Sequence, residues 1–372
     1  MGLDAAAYRG CLLGMAVGDA MGTPVEGKRY SEICEAYGPA GLRGYDTANG
    51  LAEISSYSQV FFFACNGLLL SVARGHMDGP GGIRGITQAL KEWARVQHLP
   101  RSPERRYCWL GRIPQLRKRR IMDPRTLDAL TRDVLGTPGK PANQGAGPGT
   151  LFVAMATGLY FHPDRMGFRE IGWMGAHAVA LTHGDPLTFL SGAVLSYVTA
   201  GLVHAPDCPL EEQFLQASQT VLTQFSDHFP QAARLNMMIT EAVSLSRNPQ
   251  LQRSRVMEQL ECHTAAQVLC GAVYAILATG EDFDEAMITA VNHSGKSAAV
   301  AALTGALLGL HQGEQTLPDF YLESLEGAQY IGELASDLYT ACPKGWRNRI
   351  FDDEWDRKYT QGLPTEYPER KY

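Results

Sequence analysis

The chain of 372 residues is 45% hydrophobic and 19% charged, enough apolar sequence for one large all-helical domain or two ordinary ones, and too much for a disordered or fibrous chain. Its net charge of −6 supplies no global positive field for a nucleic-acid backbone or an anionic membrane. Neither is therefore expected as a partner, and a small molecule or a protein is.

Apolar residues recur at helical spacing over Ala5–Ala20, Gln59–Ala73, Ile83–Val96, Phe168–Leu181, Leu187–Leu202, Glu211–Phe225, Ala232–Leu245, Thr264–Ala278, Phe283–Val291, Ala298–Leu310 and Tyr321–Tyr339. No alternating strand series lies between them. Glycine and proline gather in the connections, as at Gly75–Gly85, Gly136–Gly149 and Gly184–Pro186, where turns and close backbone approaches are needed. The pattern predicts an all-α, compact many-helix domain over residues 1–342 and a polar appendage over 343–372. Asp4 and Arg9 interrupt the first apolar stretch, and Asn66 and Gly67 the longest one, Val60–Leu70, so neither a signal peptide nor a membrane span is expected. Eight cysteines (Cys11, Cys34, Cys65, Cys108, Cys208, Cys262, Cys270 and Cys342) include no Cys-x-x-Cys pair. They read as buried free thiols of a cytoplasmic protein. Residues 101–120 carry eight Lys or Arg against one Glu, a solvated basic face or a patch for a pyrophosphate or an acidic protein surface.

Candidate site residues lie in the connections. Gly10–Glu26, GCLLGMAVGDAMGTPVE, runs an apolar helix into an acid, a glycine turn and a second acid, a junction that aims Asp19 and Glu26 at a cavity. Ile54–Val60, ISSYSQV, stands at a helix start. Ala89–Trp93 with Gln97, then Trp109 and Leu110, are followed by the glycine loop Asn143–Gly149, NQGAGPG, and by Thr182–Pro186, THGDP. Val291–Ala299, VNHSGKSAA, and Thr304–Gly309, TGALLG, lie in the last third. The order and content of these stretches resemble the ADP-ribosylglycohydrolase family, proteins similar to the dinitrogenase-reductase-activating glycohydrolase, with matches from about residue 8 to residue 313.

The resemblance implies an all-helical fold around a site that, in the family, holds two magnesium or manganese ions. It also implies where this chain departs. The family's paired metal-binding aspartates fall on Ser56 and Tyr57, its later pair on Lys296 and Ala298, and a hydroxyl ligand on Ala299. Ser55 remains, with Ser58 close by. Hard divalent ions need oxygen ligands and carboxylates to offset their charge. Losing four carboxylates and gaining an ammonium is a swing of about five charge units, and one like charge at ~4 Å costs about 4 kcal/mol at an effective dielectric of 20. No cofactor is therefore expected, and Lys296 is expected to neutralise the former metal pocket by pairing with Asp19 or Glu26.

The remaining positions that the resemblance points to are ligand-facing: Asp19, Ser55, Ser56, Tyr57, Gly145, Gly147, Gly149, His183, Asp185, Asn292 and Ser297. The glycine loop would bring backbone N–H groups to a diphosphate. Phe152 and Val153 replace the family's Met-Arg pair, and Cys262–Gln267, CHTAAQ, stands where many relatives have Gly-Trp-x-Ala-Glu-Glu. His183, His263 and His293 lie in separate stretches and read as core or helix-end histidines rather than as a substitute metal site. The expected function is a pseudoenzyme that binds ADP-ribose, a nucleotide or an ADP-ribosylated protein. The alternative is a metal-free hydrolase using Glu26 and Lys296 as catalytic groups with Tyr57 and Asp185, and a third reading is partner regulation through the basic 101–120 segment.

Overall fold

Helical spacing in the sequence becomes helix nearly throughout the described chain. The computed structural model describes residues 5–47, 49–76, 78–98, 107–132, 134–341 and 358–359. In chain order the helices are α1 (Ala5–Gly22), α2 (Tyr30–Tyr37), α3 (Ser56–Ala73), α4 (Gly79–His98), α5 (Pro124–Thr131), α6 (Val153–Tyr160), α7 (Pro163–Met166), α8 (Phe168–Ala180), α9 (Pro186–His204), α10 (Leu210–Phe225), α11 (Gln231–Ser246), α12 (Arg253–Gln259), α13 (Ala265–Leu277), α14 (Phe283–Val291), α15 (Ser297–Gln312), α16 (Asp319–Glu323) and α17 (Ala328–Ala341). Among the described residues, extended pairing is confined to two isolated bridges, Ala52 with Leu325 and Thr137 with Lys140. The chain is all-α, as its periodicity predicts.

Two kinds of departure have local causes. The single helix expected over Tyr321–Tyr339 is two, α16 and α17. The break at Ser324–Gly327 lets the Ala52 N–H reach Ser324 O (2.8 Å) and the Glu326 N–H reach Ala52 O (2.9 Å), and Gly327 turns there at φ 71°. Helices α2, α5, α6, α7 and α12 escape the periodicity because none exceeds eight residues, too few turns for a pattern to repeat.

The centre of the fold is an antiparallel seam between α1 and α15. Gly10, Gly14, Gly18 and Gly22 recur every fourth residue and so line one face of α1. A Cβ on Gly10 would lie 2.1 Å from Gly309 O, on Gly14 2.2 Å from Gly305 O, on Gly18 1.9 Å from Ala301 O, and on Gly22 2.4 Å from the Ala298 Cα. The backbones are in direct contact, which no side chain would permit. This seam positions the site: at Gly22 the C-terminal end of α1 meets the first turn of α15, so the loop that follows delivers Glu26 to that turn.

Helices α3 and α9 are long and apolar enough to cross a membrane by length and composition, yet neighbouring helices bury them on all sides. Gln59 on α3 accepts from Trp93 Nε1 (3.0 Å) and Gln97 Nε2 (3.1 Å) of α4, and donates to Lys118 O (2.8 Å). This buried network pins the 107–123 segment across α3. Lys118 and Arg120 of that segment pair with the exposed Glu53 and the buried Glu326, so two residues of the basic run, read as a solvated face or a patch, have carboxylate partners. Arg101, Arg105 and Arg106 lie outside the described residues. Cys11, Cys65, Cys108, Cys262 and Cys270 are buried free thiols, Cys34 and Cys208 are partly exposed, and Cys342 lies outside the described residues. From the 343–372 stretch expected as an appendage, Tyr359 is fully buried in the same core as Tyr8.

Candidate functional site

Asp19, on the last turns of α1, is fully buried and holds the first turn of α3. Its Oδ2 accepts from the Ser55 N–H (2.8 Å), the Ser58 N–H (3.1 Å) and the Ser58 hydroxyl (2.5 Å), a carboxylate placed where a helix N-terminus offers free donors. Oδ1 has no hydrogen-bond partner among the described residues. Burial pushes the Asp19 carboxyl above the ordinary carboxylate range, and the serine donors oppose that rise. Ser55 caps α3 by accepting from the Tyr57 N–H (3.1 Å), and Ser56 donates to Ile121 O (2.9 Å).

Tyr57 crosses from α3 to Glu26. Its hydroxyl donates to Glu26 Oε1 (3.0 Å), Lys296 Nζ stands 3.5 Å from the same oxygen, and Oε2 accepts from the Ala298 N–H (2.9 Å). The pairing expected for Lys296 is thus with Glu26, and no ion pair joins it to Asp19 among the described residues. Lys296 is the N-cap of α15, the end of a helix that disfavours an ammonium, so the Glu26 carboxylate offsets both the lysine and the helix terminus. Burial pushes the Glu26 carboxyl up, while Lys296 first and then the Ala298 N–H draw it down. Burial also drives the Tyr57 phenol well above its usual value, with Glu26, Asp19 and Asp123 adding negative charge around it. The Tyr57 ring packs on Phe152 with centroids 5.4 Å apart.

A second cluster adjoins the first. His183 is fully buried, with Nδ1 at 3.0 Å from Thr150 Oγ1 and 2.9 Å from Thr182 Oγ1, and Nε2 at 3.2 Å from Asp123 Oδ2. The His183 bond holds Asp123 below the usual carboxylate range. The glycine loop lies on this pair: a Cβ on Gly145 would be 3.0 Å from His183 Cδ2, on Gly149 3.1 Å from His183 Cε1, and on Gly147 3.0 Å from Asp123 Oδ2. The loop thus packs closely against His183 and Asp123, and Gly145 and Gly149 come closer still to the side chains of Asn143 and Thr126, at 2.9 and 2.7 Å from their would-be Cβ atoms.

One turn braces both clusters. Glu261 and Cys262 have positive φ, 59° and 53°, a conformation costing about 1 kcal/mol or more in a residue other than glycine. That turn lets Cys262 O accept from the Lys296 N–H (2.8 Å), and just beyond it the Ala265 N–H donates to Ala146 O in the glycine loop (2.8 Å).

The other sequence-predicted positions serve local structure. Asp185 caps α9 through the Thr188 N–H (3.0 Å) and hydroxyl (3.1 Å). Asn292 exchanges two bonds with Leu42 and donates a third to Ile288 O, and Ser297 donates to His293 O (3.2 Å). His293 is buried with both ring nitrogens bonded, to Ala290 O and the Gly295 N–H, and burial lowers its pKa to about 4. His263 is exposed. Sequence reasoning missed Asp123 and Thr150. Asp123-Pro124 is a helix-start signature, and Asp123 does cap α5 through the Arg125 N–H (2.8 Å), but nothing local reveals its partner sixty residues on.

As a donor set for two hard cations, these residues are a poor match. Glu26 is shared by an ammonium, a phenol and a backbone N–H, and Asp19 accepts three hydrogen bonds on one oxygen. Among the described residues no group of three or more His, Cys, Asp or Glu is arranged to hold a metal ion.

Comparison with known proteins locates this arrangement. An uncharacterised protein of Archaeoglobus fulgidus is 38% identical over 68 residues, a match covering 18% of this chain and 21% of that protein, so the chain spans about a fifth of that relative's length. A solved structure titled ADP-ribosylglycohydrolase-related protein complex superposes with a TM-score of 0.51 at 21% identity, covering 91% of this chain and 98% of the other, which speaks to the fold alone. The family profile described as ADP-ribosylglycohydrolase matches residues 3–348. With that match across nearly the whole sequence and the all-helical architecture beneath it, the chain belongs to the ADP-ribosylglycohydrolase family.

Proposed function

We propose that this chain has left two-metal hydrolysis of ADP-ribosyl bonds and acts as a pseudoenzyme that binds ADP-ribose, a nucleotide or an ADP-ribosylated partner. The observation that carries the reading is Lys296 Nζ at 3.5 Å from Glu26 Oε1. An ammonium stands beside the carboxylate oxygens that a dication would need, and it meets the charge of Glu26. The residues do not fit a pair of magnesium or manganese ions, so no activated water or polarised ribose is derived from metals. What supports binding is the helical frame of α1, α3 and α15 and a glycine loop packed beside His183, with the Tyr57 and Phe152 rings in contact next to Glu26. Calorimetric titration with ADP-ribose and with magnesium is the test. ADP-ribose binding without a metal requirement is expected, whereas tight uptake of two metal ions, or metal-dependent release of ADP-ribose from modified arginine or serine, overturns the reading.

The Glu26–Tyr57–Lys296 cluster supports one second reading, a metal-free hydrolase of an N- or O-glycosidic ADP-ribose-like substrate. Burial raises the Glu26 carboxyl above its ordinary value, the direction that suits a carboxyl to proton transfer. Turnover without metal that is abolished in Glu26→Gln and Lys296→Met supports this alternative, and turnover indifferent to both substitutions removes it.

A further inference from the structure

A cavity of 640 Å³ opens between α8 and the α10–α11 connection, within the range of roughly 300–1,000 Å³ typical of small-molecule sites. None of its lining residues belongs to the Glu26 or His183 clusters. Three segments build it. Helix α8 contributes Trp173 and His177, four residues apart and so on one face. The connection after α10 contributes His228 and Phe229, and Gly139 lies on the rim in the turn between Thr137 and Lys140. Core contacts set these walls: Trp173 packs on Phe225 with centroids 4.4 Å apart, Phe229 meets Phe189 edge-on at 5.0 Å, and the Phe229 N–H donates to Phe225 O (2.8 Å).

The lining is apolar and aromatic apart from two imidazoles, and it includes no Asp, Glu, Lys or Arg. Among the described residues the ring nitrogens of His177 have no hydrogen-bond partner, although a neutral imidazole carries one donor and one acceptor. Burial lowers the His177 pKa, so at neutral pH the ring is uncharged and offers no counter-charge to an anion. Aromatic walls suit a flat ring, and an aromatic carboxylate would bring a charge that the lining does not meet. We propose that this cavity binds an uncharged planar aromatic molecule bearing a hydroxyl or ring N–H, with the ring against Trp173 and Phe229 and the polar group bonded to His177. The site is separate from the one proposed for ADP-ribose and does not depend on what that one binds.

The test titrates the full chain with 2-naphthol, naphthalene and 2-naphthoate, read by saturation-transfer NMR of the ligand. 2-Naphthol is expected to bind with a dissociation constant on the order of 10⁻⁴ M, as suits a ligand of its size. Naphthalene, which lacks the hydroxyl, and 2-naphthoate, which is charged, are expected to bind about tenfold more weakly, the cost of an unmet imidazole or carboxylate. His177→Phe is expected to remove the preference for 2-naphthol over naphthalene. Gly139→Phe blocks the cavity from its rim and is expected to abolish binding of all three; a Cβ there meets nothing within 4 Å, so the fold tolerates it. Absence of saturable 2-naphthol binding, tighter binding of 2-naphthoate, a preference that survives in His177→Phe, or binding unchanged in Gly139→Phe overturns the proposal. Should His177→Phe not fold, the three wild-type affinities and the Gly139→Phe chain decide by the same outcomes.

Discussion

A carboxyl that touches an ammonium is ordinarily pulled down in pKa, but Glu26 is held up because burial outweighs Lys296. The consequence for stability follows from the sign. A carboxyl raised above its ordinary value near 4.5 contributes stability that is full below that value and is lost as pH rises through the folded pKa. Lys296→Met removes the leading group that draws Glu26 down, so the variant should lose stability more steeply with rising pH. Discounting for an ammonium that is 40% exposed, the expected loss is about 1–2 kcal/mol at pH 8 and close to nothing at pH 4, read from urea unfolding at the two values. An equal loss at both would mean that Lys296 acts by packing alone. Asp123 gives the complementary prediction. Its carboxylate lies 3.0 Å from where a Gly147 Cβ would be, so any diphosphate on the glycine loop faces a like charge. Asp123→Asn keeps an acceptor for His183 and is expected to tighten ADP-ribose binding about fivefold or more by calorimetry. Unchanged or weaker affinity would place the diphosphate elsewhere.

Among the elements, the α1–α15 seam does the positioning. The helix that carries its glycines was legible in the sequence. Their partner was not, because Gly305 and Gly309 lie nearly three hundred residues away and a small-residue face declares closeness without declaring to what. The same limit explains the site. Glu26, Tyr57 and Lys296 could be named from motif positions, and the structure joins them, whereas the Asp123–His183 contact depends on how the 107–123 segment is drawn over α3 by Gln59. Gly14→Ala tests the seam directly. The added methyl would stand 2.2 Å from Gly305 O, and a backbone oxygen cannot turn aside as a side chain can. A loss of about 3 kcal/mol is expected in chemical denaturation, the upper end for overpacking, with weakened ligand binding because Glu26 is delivered by this seam. A neutral substitution would mean that the helices lie further apart than described here.

At the scale of the whole molecule, composition foretold a large helical core and an absence of strand patterning, and it gave no sign that Tyr359 is buried in that core. Polarity over residues 343–372 reads as an appendage because a window of sequence averages Lys358 and Tyr359 with their neighbours, and the contacts of two residues leave no periodic trace. The charge sum of the basic run at 101–120 likewise does not reveal Glu53 and Glu326, which come from distant parts of the chain to meet Lys118 and Arg120. Tyr359→Ala separates an anchored segment from a free one. The ring is fully buried against Trp109 and its hydroxyl is bonded to Asp337, so its removal opens a cavity and strips a buried carboxylate of a donor. By analogy with other buried aromatic truncations the expected loss is about 3 kcal/mol, accompanied by a shift in tryptophan emission as Trp109 becomes solvated. A free appendage predicts neither change, and a loss below about 0.5 kcal/mol, the range of ordinary surface substitutions, would return the segment to the periphery where its composition first placed it.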